Sequence, residues 1–150
     1  MIAAWETNYQ DSSASAQSRL LIQIGRMLRF QYPDSAMSYY SKALEIAESN
    51  NEITNIARAT NATGGIHYVK GEYDFAMESY TKALNIWDSL GNKRGVAVGL
   101  NNIALIQGMQ EHYDDAIKNH NKSLEMCREN HDSLMIGINL LNLGINYHAK

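Results

Sequence analysis

Five histidines, one cysteine and several neighbouring carboxylates are the residues of this chain that invite a chemical reading. A zinc site needs His or Cys side chains that converge, and covalent catalysis needs a nucleophile beside a base. His112 and His120 are eight positions apart, but a turn before Asp114 keeps them off a common helix face. No His-x-x-x-His or paired-cysteine spacing occurs anywhere. Cys127 with a distant histidine is an equally weak signal, and a buried structural thiol is the better reading. Glu125, Glu129 and Asp132 sit near a helix end and a turn, where solvated charge is the default. Gly64-Gly65 lies inside a helical pattern with no strand before it, so it is not a phosphate loop. Asn61-Ala62-Thr63 and Asn121-Lys122-Ser123 satisfy the glycosylation sequon, but both lie in helical patterns and are read as coincidence. The expectation is no catalytic residue, no metal and no cofactor, and hence not an enzyme.

The elements that carry these residues repeat. Tyr32-Pro33-Asp34-Ser35-Ala36, Tyr73-Asp74-Phe75-Ala76 and Tyr113-Asp114-Asp115-Ala116 open three similar stretches. Asp34, Asp74 and Asp114 fall 40 residues apart, as do Lys42, Lys82 and Lys122, and Leu44, Leu84 and Leu124. A period in this range marks a repeat architecture. Gln31-Tyr32-Pro33 ends a first helical pattern, because proline disfavours helix in the residue before it. Pro33 suits the start of the next helix, and Asp34 meets its positive dipole end. The apolar spacing predicts helices over about 14–30, 33–49, 53–70, 74–89, 94–110 and 114–129, with a last one over 137–148. Gly71, Gly91-Asn92 and Asn130-His131-Asp132 mark turns.

Length and composition bound the reading further. A chain of 150 residues, 45% hydrophobic and 19% charged, suits one folded domain rather than disorder. The net charge of −3 has both signs mixed along the chain, without the clustered Lys and Arg that bind phosphate backbones, so no nucleic-acid partner is expected. A single cysteine excludes an internal disulfide framework. The N-terminus lacks the pattern of a secretory signal and no apolar run is long enough for a span, so a cytoplasmic protein away from membranes is expected. The chain is expected to begin and end part-way through a repeat, as a fragment of a longer array. Its last helix, with Leu140, Leu141, Leu143 and Ile145, is more apolar than a solubilising cap should be.

These repeats resemble the tetratricopeptide repeat (TPR) family of helix–turn–helix solenoids. The second repeat carries the resemblance with Gly64, Gly71, Tyr73, Ala76, Tyr80 and Ala83, and the third with Leu100, Ile103, Ala104, Tyr113 and Ala116. Leu21, Ile24, Gly25, Ala36, Tyr40 and Ala43 supply the first, and Leu140, Leu143, Gly144 and Tyr147 the last half-repeat. His120 and Ser123 depart from it, and no proline ends the second helices. The long period and the Leu-Asn-Asn-Ile run of the third repeat are similar to kinesin light chains and to bacterial signalling proteins. The resemblance implies an all-α fold, a right-handed α-solenoid of antiparallel helix pairs with about three and a half repeats. Its expected parts are a remnant or cap over 1–13, repeats over 14–51, 52–91 and 92–131, and a first helix over 132–150.

The resemblance also implies that the first helix of each pair faces a concave groove that takes a protein or extended peptide. The residues it brings there are Arg19, Arg26 and Arg29; Arg58, Asn61 and Tyr68; Asn101, Asn102 and Met109; and Asn142 and His148. Asparagine offers both donors and an acceptor to a peptide backbone, and grouped arginines suit acidic side chains. First helices almost free of lysine disfavour chaperone-tail binding. The expected role is a binding scaffold, the regulatory or sensory module of a larger signalling protein. The alternative is a structural array that self-associates through its apolar last helix.

Overall fold

A computed structural model describes residues 13–150. Residues 1–12, where most of the expected remnant or cap falls, lie outside the described residues. The elements are α1 (Ala14–Leu28), α2 (Pro33–Ser49), α3 (Ile53–Val69), α4 (Tyr73–Ser89), α5 (Lys93–Met109), α6 (Tyr113–Glu129) and α7 (Ser133–Ala149), with no strand among the described residues. The sequence places six of them within two residues at either end. The seventh begins four residues before the expected Gly137, because the Asp132 side chain accepts the backbone N–H of Met135 at 3.2 Å and caps the helix. Ser13 caps α1 in the same way, accepting from Ala16.

Helices α2 to α6 are each closed by the same backbone device. The N–H three residues past the helix end reaches back to a carbonyl five residues earlier: Glu52 to Ala47 at 2.8 Å, Glu72 to His67 at 2.8 Å, and Asn92 to Trp87 at 2.9 Å. His112 to Gln107 and Asp132 to Cys127 repeat it. Such a closure puts the intervening residue in the left-handed region. Gly71 (φ 75°) and Gly91 (φ 63°) accept this freely, while Asn51, Glu111 and His131 adopt it with a side chain present.

The chain divides into two compact units, Met1–Ala76 and Met77–Lys150. In the first, α1 packs on α2 and α2 on α3. Leu21 and Ile22 of α1, Ala36, Tyr40 and Ala43 of α2, and Ala59 and Ile66 of α3 form its core. Small residues set the spacing. A Cβ built on Gly25 would lie 2.4 Å from the Tyr40 ring, so only glycine admits that ring. In the second, α5 packs on α6 and α6 on α7, and Ile117, Leu124 and Leu143 make one cluster of its core. Gly95 receives Trp87 as Gly25 receives Tyr40, again at 2.4 Å from a built Cβ.

Candidate functional site

In the first unit, a buried polar hub joins α1 to α3. Asn55, 2% exposed, donates through Nδ2 to the backbone oxygen of Ser15 at 3.3 Å and to its hydroxyl at 3.2 Å. The same amide reaches Glu52 at 3.3 Å. Two exposed guanidiniums converge on this hub. Arg58 donates from Nη1 to Asn55 Oδ1 at 3.2 Å, and Arg19 from Nε to the Ser15 carbonyl at 3.4 Å. The sequence singles out both arginines but not Ser15 or Asn55; their 40-residue separation, one repeat, was the available signal.

Arg26 is exposed two turns along α1 from Arg19. Arg29 follows the last residue of α1, which ends at Leu28 rather than running to residue 30. Its guanidinium lies 4.5 Å over the Phe30 ring, and its Nε is buried without a hydrogen-bond partner. Burial raises the Tyr40 phenol above its usual range, while the charges of Arg29 and Arg26 pull it back. Asn61 and Tyr68 of α3 are half-buried, and the Tyr68 ring leans on Tyr73 at 6.2 Å.

In the second unit, Asn101 is buried and its Oδ1 accepts from Asn142 Nδ2 at 3.3 Å, so two of the predicted residues bind each other. Asn102 and Asn142 are half-buried, and Met109 and His148 are exposed. His120, in the position of Tyr40 and Tyr80, is fully buried. Its Nδ1 lies 3.3 Å from Asn139 Oδ1, and Asn139 Nδ2 donates to Ser123 Oγ at 3.0 Å and to the Met135 carbonyl at 2.9 Å. Since the Asn139 amide nitrogen is thus committed, its oxygen accepts, and His120 carries its proton on Nδ1. Burial holds the His120 pKa below its usual value, against the Asn139 hydrogen bond. Cys127 is buried, and burial raises its thiol, more than the Ser123 hydrogen bond lowers it. These groups hold helices together. A shallow concavity lies elsewhere, at the α6–α7 turn, lined by Arg94, His131 and Asp132.

Among the described residues, no group of three or more His, Cys, Asp or Glu is placed to hold a metal ion, and no helix is long and apolar enough to cross a membrane. The fold resembles two solved structures. BtubC (BKLC) from P. vanneervenii is 21% identical with a TM-score of 0.75, over 93% of this chain and 58% of that one. The apo form of RapI is 18% identical with a TM-score of 0.81, over 97% of this chain and 55% of that one. The chain thus spans little more than half of either, and at these identities the likeness is one of fold. No curated protein matches the chain in sequence. The sequence model of the tetratricopeptide repeat matches residues 55–129, half of the chain. Repeat register, paired helices and this match agree: the chain belongs to the tetratricopeptide repeat family.

Proposed function

We propose that this chain is a non-catalytic scaffold that binds a protein or an extended peptide on the exposed faces of its first helices, as the regulatory module of a larger cytoplasmic signalling protein. The observation that carries the reading is a division of labour. The positions shared by the repeats, Ala36, Ala76 and Ala116 or Ala43 and Ala83, are fully buried and build the core. The first helices instead offer side chains that differ between repeats: Arg26 and Arg58 in one unit, Met109 and His148 in the other, all exposed. Recognition surfaces vary where scaffolds do not. Screening the purified chain against an array of extended peptides tests this. A binder should weaken with Arg26→Glu or Met109→Glu and tolerate Lys82→Glu on α4; indifference to both first-helix variants removes the assignment.

A second reading rests on α7, where Leu134, Leu141, Ile145 and Tyr147 are 74%, 66%, 58% and 61% exposed. Apolar faces of this kind mark interaction surfaces. Self-association through α7 predicts a concentration-dependent sedimentation coefficient that Leu141→Glu abolishes. A strict monomer at all concentrations rules it out.

A further inference from the structure

The charges of this chain are sorted by helix. α1, α3, α5 and α7 contain no Asp or Glu at all, whereas α2, α4 and α6 each contain at least three. The sorting leaves basic residues on the first helices, and the two units treat them differently. In the second unit they are neutralised: Lys93 Nζ lies 3.5 Å from Glu129 and Arg94 Nε donates to Asp132 at 3.1 Å. In the first unit, none of Arg19, Arg26 and Arg58 pairs with a carboxylate among the described residues. Glu52 sits at the hub, held by Asn55 at 3.3 Å rather than by an arginine. Arg19 and Arg58 are meanwhile oriented on the Ser15–Asn55 hub by hydrogen bonds that take only one N–H of each fork. A guanidinium donates through five N–H groups, and its planar fork matches a carboxylate.

We propose that the α1/α3 face of the first unit is the docking surface for an acidic segment of a protein partner, with Arg19 and Arg58 as the paired anchors and Arg26 as a further charge along the same segment. Charge complementarity selects this occupant: Arg19 and Arg58 are exposed and form no ion pair among the described residues, and a partner carboxylate supplies one. The inference rests on the scaffold reading and narrows it to one ligand chemistry.

The test is fluorescence anisotropy of the intact chain with labelled extended peptides graded from acidic to basic, including oligo-glutamate. Acidic peptides should bind best, with affinity falling steeply between ~50 and ~300 mM salt. Arg19→Glu/Arg58→Glu should weaken oligo-glutamate at least about tenfold, while Lys118→Glu/Lys122→Glu on α6 leaves it unchanged; circular dichroism checks that both variants fold. Arg19→Lys/Arg58→Lys should recover part of the affinity. Neutral or basic peptides binding best, unaffected by the arginine variants, would overturn the acidic assignment and leave the scaffold standing. No binding by any peptide would overturn both. Equal competition by a single-stranded oligonucleotide would replace it with general polyanion binding.

Discussion

Tyr40 and His120 stand two repeats apart at the same register position, and the two repeats fill that position by different physics. In the first, a phenol ring lies against the bare backbone of Gly25 and the fit is one of shape. In the second, an imidazole is tied to Asn139, and through it to Ser123, while its Nε2 has no hydrogen-bond partner. A ring packed on glycine is indifferent to pH and intolerant of volume. A buried neutral imidazole adds a sensitivity to protonation. One slot can therefore be shape-critical in one repeat and protonation-critical in another.

The largest expected effect is Tyr40→Ala, which should lower stability by about 3–5 kcal/mol in urea unfolding. A comparable loss from His120→Ala would erase the distinction. Next come the glycines. Gly25→Ala drives a methyl group into the Tyr40 ring and should cost about 1–3 kcal/mol. Gly144→Ala on α7 meets nothing within 4 Å and should instead stabilise by up to ~1 kcal/mol.

The third expectation concerns acid. The folded His120 pKa lies below the unfolded value near ~6.5, so the unfolded chain binds more protons between the two. The stability contribution is intact above about pH 6.5 and drains as pH falls below it, by at most ~1.4 kcal/mol per pH unit. His120→Tyr, which restores the residue of the other repeats, should flatten that slope in thermal melts between pH 7 and pH 5. An unchanged slope assigns the acid sensitivity to other groups.

Smaller still is the turn between paired helices, where the first unit has Gly71 and the second Glu111, both at positive φ. Glu111→Gly should gain about 1 kcal/mol, and no gain would show that the glutamate side chain compensates. Last, Lys70 donates to Asp34 at 2.5 Å in the first unit, and Lys150 pairs with Asp114 in the second. These hydrogen bonds raise both lysine pKa values, yet both pairs lie on the surface, so Lys70→Ala should leave the melting temperature within error.

The register explains what was legible in the sequence. Helix type and order follow from apolar spacing repeated every 40 residues, and the start of α2 from Pro33 and Asp34. His120 shares the register position of Tyr40 and Tyr80, and it is buried as they are. The early start of α7 was harder: Asp132 acts as a cap, and a cap and a loop residue look alike in sequence. The hub at Ser15 and Asn55 carried only the signal of their 40-residue separation, because which polar side chains meet across two helices depends on helix rotation that periodicity does not specify. The same limit applies to Asn101, which reads as a surface donor but spends its oxygen on Asn142.

The cross-helix bonds have one more consequence. The bonds that tie distant helices together span one repeat: 40 positions from Asn55 to Ser15, 36 from Lys70 to Asp34, 41 from Asn142 to Asn101. At synthesis rates of about 5–20 residues per second, such a stretch leaves the ribosome in roughly 2–8 s, against microseconds for helix formation. Each hairpin therefore has its partners in hand before the next is made, and the chain can fold in the order it is translated.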